Sequence, residues 1–275
     1  MTQTTTLTST ISNTEKQRAF IVDHNKKQSL PNGNIIDWKK GLFNQIALVG
    51  ECYDEWIEHP KLGRCRLFDS NIRESFSFTP WWVVPALYIP WSLLETRYSL
   101  TWHDSIFYQT LEQLGVVKDW YEYVPVVSYV LLAYLFGIFF WTFFEYVCHR
   151  FAFHWHPKTP LQRYAHFLGH GLHHITPEDE FRLVFPPVIS IPLALMFRTL
   201  FYKTFPYGFG SAFFGGFLLG YAAYESTHFL THHMPFGSWL KNRFYYHSKH
   251  HFDPVKQGKI FGVSSQFWDI VFGTL

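Results

Sequence analysis

Thirteen of the chain's histidines crowd into two windows, seven at residues 149–174 and six at 228–251. They read HRFAFH at 149–154, HGLHH at 170–174, HFLTHH at 228–233 and HSKHH at 247–251. The second and last share the pattern HxxHH. On a helix, positions i, i+3 and i+4 lie on one face. Each HxxHH, with His170, His173 and His174 or with His247, His250 and His251, is therefore expected to point three imidazoles at one region. His228 and His232 form an i, i+4 pair and add two more. His149 and His154 are five apart, a poor spacing for one regular helix face, so they are expected to straddle a helix end. Neutral imidazole is a good ligand for iron, zinc and other transition metals. These ten residues exceed the four to six positions of a single ion, so two ions are expected. HxxHH is not the HExxH of zinc proteases. It contains no acidic residue to act as a general base, which argues against hydrolysis.

The remaining histidines carry less weight. His24, His59 and His103 read as ordinary surface or core residues. His156 and His166 lie outside the tight motifs, and His233 sits beside the His228–His232 pair facing elsewhere. These last three are expected as bystanders or helpers.

Two windows so far apart in sequence can meet only if longer elements bring them together. Four stretches lack charge: 81–94, 124–144, 183–197 and 204–224. The second and fourth match a hydrocarbon core of about 30 Å. The first and third are shorter and contain Pro85, Pro90, Pro186, Pro187 and Pro192, but flanking Trp and Tyr extend them toward the interface. The expected fold is an all-α integral membrane protein. It has four transmembrane helices, as two antiparallel hairpins, and a cytosolic helical cap that holds the histidines. Four spans put both windows on one side of the membrane, whereas an odd number between them would separate them. With the N-terminus in the cytosol, Arg97, Lys118, Arg198 and Lys203 face the other side. The other 19 of the 23 Lys and Arg are then cytosolic, in the sense of the positive-inside rule. Residues 1–35 are expected to be a disordered polar tail. Residues 36–80 are expected to be a cytosolic or interfacial helical segment, with a short helix near Asp54-Glu55-Trp56 that stops at Pro60. Residues 81–275 would form the membrane domain.

Composition narrows the function classes. Aromatic residues make up 21% and charged residues 16%, against about 25% charged in a soluble domain; such a surface suits contact with lipid. The net charge of +2, with no basic block or zinc-finger spacing, gives no case for nucleic acid. Cys52, Cys65 and Cys148 are too few for a disulfide framework and read as reduced thiols. The polar start MTQTTTLTST lacks the apolar stretch of a cleaved signal peptide.

A family resemblance rests on four passages: WTFFEYVCHRFAFH at 141–154, HFLGHGLHHITPEDEFRLVFPP at 166–187, YESTHFLTHH at 224–233 and YHSKHHFDPVKQGKIFGVSSQFWDIVFGTL at 246–275. The chain resembles the fatty acid 2-hydroxylases of the fatty acid hydroxylase and sterol desaturase superfamily, over about residues 60–275. The resemblance implies metal ligation by His149, His154, His170, His173, His174, His228, His232, His247, His250 and His251. It implies two iron ions, with zinc able to occupy the sites in purified protein, and O2 as co-substrate. The implied reaction is hydroxylation at C2 of a very-long-chain acyl group, in ceramide or free. It further implies the endoplasmic reticulum membrane, with the active site and both termini cytosolic. Many relatives carry an N-terminal cytochrome b5 domain, but its HPGG signature does not occur here. A separate cytochrome b5 with its NADH-dependent reductase is therefore the expected electron donor. Where the family often has an aspartate, this chain has Glu225, which would orient a ligand or a substrate group. Tyr221 and Tyr224, about two turns and one turn before His228 on a helix, could touch the lipid head or carbonyl, or serve as interface tyrosines. Other readings are a sterol C4 or C5 oxidase or desaturase of the same superfamily, a metal transporter or store, and a scaffold with structural zinc. A transporter would want ionisable groups within its spans, and the four stretches contain none. A scaffold needs four ligands per zinc, not ten.

Overall fold

The structure is a computed structural model, and it describes residues 27–61, 63–103, 125–234, 237–253, 255–256 and 258–275 of the chain. The fold is mostly helical. A small hairpin opens it: β1 (Lys27–Ser29) pairs antiparallel with β2 (Ile35–Asp37), Gln28 opposite Ile36. This departs from an all-helical chain and from a tail running to residue 35. The turn between the strands is stitched by Asn32 and Asn34, whose side-chain amides donate to the Leu48 carbonyl at 3.1 and 2.9 Å. Local side-chain bonds of this kind make a turn where composition alone suggests disorder. Residues 1–26 of the expected tail lie outside the described residues.

Three short helices follow, α1 (Ile46–Val49), α2 (Tyr53–Ile57) and α3 (Asn71–Ser75). The second is the helix expected before Pro60. Four long helices come next: α4 (Val83–His103), α5 (Pro125–Val147), α8 (Pro187–Thr204) and α9 (Tyr207–His233). Between α5 and α8 lie the short helices α6 (Pro160–His166) and α7 (Leu172–Ile175). The chain closes with α10 (Gly237–Phe252) and α11 (Phe267–Phe272).

Helix α9 is the axis, packed against α4, α5 and α8. Its glycines allow this. A Cβ at Gly216 would collide with the Tyr134 carbonyl of α5, and one at Gly137 of α5 with the Phe213 carbonyl of α9. The two backbones thus approach as closely as small residues permit. Phe213, Phe214, Phe217 and Leu218 are buried at the centre of the resulting core. By contrast Leu93, Leu94, Val127, Leu132, Val188 and Met196 are exposed on the outer faces of α4, α5 and α8.

The long helices overrun the uncharged stretches that announce them. Helix α4 continues past Leu94 because its polar residues are satisfied by its neighbours. Ser92 Oγ donates to the Gly215 carbonyl at 2.7 Å, and Glu95 accepts from Arg198 Nε at 2.6 Å and from the Tyr202 hydroxyl. Helix α8 starts only at Pro187, a residue suited to a helix's first turn. Residues 183–185 stay outside it and line a cavity. Among the described residues, one stretch is long and apolar enough to cross a membrane: Val127–Phe153, with mean hydropathy 1.9.

The N-terminal segment forms a second core, in which Ile36, Trp38, Tyr53 and Trp56 pack on Phe167, Leu172 and Ile175. Further down, Arg182 donates to Asp179 and the Cys65 carbonyl, each at 2.7 Å, and pairs with Glu74. Glu74 in turn accepts from Leu67 N and Phe68 N at 3.0 and 2.8 Å. The segment before the first long helix is thereby fastened to the chain that carries His170, His173 and His174. The three cysteines are free thiols.

Candidate metal centre and adjoining cavity

Five pieces of chain deliver the histidines. The first is not a regular helix. Beyond Val147, helix α5 widens into a π turn over Cys148–Phe153, closed by a hydrogen bond from His154 N to the His149 carbonyl at 3.1 Å. An i→i+5 turn brings residues five apart onto one face. This is how His149 and His154 come together, a pairing that ordinary helical spacing disfavours. A second π turn, Phe167–Gly171, carries His170, and α7 carries His173 and His174. The helix before it, α6, starts at a capping box: Thr159 Oγ1 accepts from Gln162 N at 3.3 Å and Gln162 Oε1 from Thr159 N at 3.0 Å. His228 and His232 lie on the last turns of α9, and His247, His250 and His251 on α10.

The ten histidines form two groups of five. One comprises His149, His154, His170, His174 and His250; the other His173, His228, His232, His247 and His251. Within each group the five potential ligand atoms lie within 4.8 Å of one another. Each HxxHH is thus divided. Its i and i+4 members share one group and its middle histidine enters the other, so the three imidazoles do not converge on a single point. The reason is angular: i and i+4 are about 40° apart around a helix, whereas i+3 falls on the opposite flank. The three histidines of a motif therefore straddle the boundary between two sites.

The geometry fits transition-metal ions. His228 Nε2 lies 2.9 Å from His247 Nε2 and 3.0 Å from His173 Nε2, and His247 Nε2 lies 2.9 Å from His232 Nε2. In the other group His170 Nε2 is 3.1 Å from His149 Nε2 and 3.0 Å from His174 Nε2. Nitrogens bound to one ion at about 2.0–2.1 Å, and at right angles about it, are about 2.9 Å apart. Two more observations agree. His154 Nε2 and His250 Nε2 are buried without a hydrogen-bond partner. His149 Nδ1 and His250 Nδ1 face the carbonyls of Phe261 and Lys259 at 2.5 and 2.7 Å. A carbonyl only accepts, so both imidazoles carry their proton on Nδ1 and keep the Nε2 lone pair free for a ligand bond.

Electrostatics point the same way. Burial lowers the His250 pKa to about 4. Burial, reinforced by the neighbouring imidazoles, holds His170, His174, His247 and His251 well below the ordinary range. The cluster is neutral at pH 7, the state in which imidazole binds metal.

His156, His166 and His233 belong to neither group. His166 Nδ1 meets the Tyr53 hydroxyl at 2.9 Å, His156 Nδ1 meets the Asp54 carboxylate at 3.1 Å on the surface, and the His233 ring packs on Phe229 at 4.6 Å.

An apolar cavity of about 310 Å³ abuts both groups, touching His170 of the first and His173 and His228 of the second. Phe144, Leu193, Phe197 and Phe217 line it, as do Tyr221, Tyr224 and Glu225. Tyr224 stacks on His228 at 5.8 Å between ring centroids. Glu225 is buried, accepts from Phe185 N at 3.2 Å and belongs to neither histidine group. Spacing gave no sign of the loop 259–264 as a support for the histidines. Its one legible hint is the pair of buried carboxylates, Glu145 and Asp269, that bind its amides.

Known proteins resemble this chain in sequence and fold. A family profile described as fatty acid hydroxylase matches residues 134–274. A dihydroceramide fatty acyl 2-hydroxylase of Arabidopsis thaliana is 39% identical over 247 residues, 88% of this chain and 94% of that protein. A fatty acid 2-hydroxylase of Mus musculus is 38% identical over 254 residues, 88% of this chain, and the match spans 65% of the mouse protein's length. The solved structure of full-length Scs7p, in which only the hydroxylase domain is visible, superposes with a TM-score of 0.73 at 31% identity, covering 87% of this chain and 84% of that one. The chain belongs to the fatty acid hydroxylase family.

Proposed function

We propose that this protein hydroxylates C2 of very-long-chain acyl groups, in ceramide or as free fatty acids. The observation that carries the proposal is the apolar cavity that abuts both five-histidine groups. Relatives whose names specify fatty acid or dihydroceramide fatty acyl 2-hydroxylation support the choice of carbon and substrate.

Two iron ions, bound one per histidine group, supply the capacity to activate O2 against an unactivated C–H bond, which side chains alone lack. Zinc can occupy the same ligands in purified protein. Electrons come from a cytochrome b5 and its NADH-dependent reductase. The chain's own residues bind and orient. Phe144, Phe197 and Phe217 hold the acyl tail and exclude water. Glu225, Tyr221 and Tyr224 bind the polar end of the substrate, so that its C2 rather than a later methylene lies beside His173 and His228. A rigidly held reacting carbon is where much of the rate acceleration arises.

The setting is the endoplasmic reticulum membrane, crossed four times, with the histidines and both termini cytosolic. In support, α4, α5, α8 and α9 have 21, 23, 18 and 27 residues, long enough for a core of about 30 Å at 1.5 Å per residue. The outward Leu, Val and Met residues of α4, α5 and α8 suit lipid.

The test is mass spectrometry of sphingolipids in a 2-hydroxylase-deficient host expressing the wild type or His250→Ala, with iron analysis of the purified proteins. The proposal expects two irons per wild-type chain and 2-hydroxy acyl chains only with the wild type. Restoration of sterol intermediates without 2-hydroxy lipids would instead indicate a sterol oxidase of the same superfamily.

A further inference from the structure

The two carbonyls that hold His149 and His250 belong to Phe261 and Lys259, and between them stands Ile260. Its φ is +62°, and it is the only non-glycine residue with positive φ among the described residues. Branched side chains avoid this conformation. Turning φ at Ile260 turns the plane of the Lys259–Ile260 peptide, and with it the direction of the Lys259 carbonyl. The positive value lets the carbonyls on either side of Ile260 reach two different imidazoles of one group.

Such a conformation persists only where its surroundings enforce it, and here they do. Ile260 N donates to the Thr274 carbonyl at 2.8 Å, and its side chain is buried. Asp269, fully buried, accepts from Phe261 N and Gly262 N, each at 2.8 Å, and from the Thr274 hydroxyl at 2.7 Å. Glu145 accepts from Val263 N and Ser264 N, each at 2.8 Å. Gly262 leaves no slack, since a Cβ there would strike the Ser265 carbonyl and come within 2.8 Å of Asp269 Oδ2. In the other group, His173 Nδ1 is buried with no hydrogen-bond partner among the described residues.

We infer that the C-terminal loop 259–264 is a clamp for one of the two metal sites, the one formed by His149, His154, His170, His174 and His250, with Ile260 and Asp269 as its positioning residues. This rests on the dimetal reading above. The clamp fixes the Nδ1–H tautomer of His149 and His250 and aims their Nε2 atoms at the ion. Partners of this kind, one bond removed from the ligand, commonly contribute 10–100-fold to metal affinity. A merely structural loop would lower stability without distinguishing the two sites.

The experiment is titration of chelator-stripped, detergent-purified full-length protein with Zn2+ alone, for the wild type, Ile260→Gly and Asp269→Asn. The glycine frees φ at position 260. The asparagine keeps the size of Asp269 but turns an NH2 toward an amide that the carboxylate had accepted. The wild type is expected to bind two Zn2+. Each variant is expected to keep one site at wild-type affinity and to weaken the other by about 10–100-fold. His228→Ala provides the mirror case, weakening the site that the clamp does not touch. If Asp269→Asn does not fold, as judged by size-exclusion chromatography, Ile260→Gly decides. Two Zn2+ at unaltered affinity in the variants overturns the clamp, as does equal weakening of both sites. A wild type that binds fewer than two overturns the dimetal reading and the clamp with it, so the two failures are distinguishable.

Discussion

The two five-histidine groups solve one problem with different materials. The group of His173, His228, His232, His247 and His251 takes four ligands from two long helices, as the i, i+4 pairs 228–232 on α9 and 247–251 on α10. Helical geometry alone sets those imidazoles side by side. The group of His149, His154, His170, His174 and His250 draws three ligands from two π turns. A π turn is a locally widened helix with poorer backbone bonding, so its imidazoles need support from elsewhere. His149 receives it from the carbonyl of Phe261, and His250, the group's ligand from α10, is held in the same way by the carbonyl of Lys259. A site built on regular helix is legible in spacing and self-supporting. A site built on irregular turns depends on residues distant in sequence.

The largest expected effect falls on both groups alike. His173→Ala and His250→Ala should each abolish 2-hydroxylation, leaving less than about 1% of the wild-type product, because each removes a ligand that only deprotonated imidazole supplies. Wild-type levels of 2-hydroxy lipid from His173→Ala would refute the site assignment, and loss from one variant only would show that a single ion suffices. Glu225→Gln should lower turnover by about 10²-fold, the scale of a misplaced reacting centre, with metal content unchanged. Loss of metal would instead make Glu225 part of the metal centre.

Chelation should lower the thermal midpoint. Metal at about 100 times its Kd stabilises by about 2.7 kcal/mol per site, worth several degrees in a chain of this size. A scan with and without chelator checks this, and an unmoved midpoint would mean that the histidines do not hold metal in the folded protein.

Acidification should act on the metal-free protein with a definite sign. Burial puts His250 near pKa 4, against an ordinary 6.5. Above about pH 6.5 both folded and unfolded states are neutral at this residue and its effect on stability is nil. As pH falls toward 4 the unfolded chain takes up the proton first, so stability declines across that window. Denaturant midpoints at pH 7.5 and pH 5 should show the loss, and a higher midpoint at pH 5 would contradict it. The smallest effect should come from a histidine outside both groups. Tyr53→Phe removes the bond to His166 and should cost about 1 kcal/mol with both metals retained.

Much of this was legible in the residues. The ten histidines, the even number of long helices between their windows and the separateness of His156, His166 and His233 follow from spacing and hydropathy. So do the four long helices, although their ends do not. The first uncharged stretch stops before Glu95, yet the partners that Arg198 and Tyr202 offer this carboxylate let α4 run on to His103. The hairpin at 27–37 escaped because three-residue strands carry no usable period. The π turn at 148–153 escaped because a five-residue spacing has no meaning on the regular helix that pattern reading assumes.

The sequence by itself determined the kind of chemistry, since only the residue types and their spacing decide that ten imidazoles lie at the ends of apolar helices. Tertiary structure alone decided how they are shared: each HxxHH divided between two groups, and one group clamped by carbonyls around Ile260. The physical reason is that spacing fixes directions only within one element. Whether the middle histidine of a motif joins its own neighbours or those of another helix depends on where α7, α9 and α10 come to rest. The backbone at Ile260 lies against its own preference, so only the contacts of Asp269 and Thr274 could have revealed it.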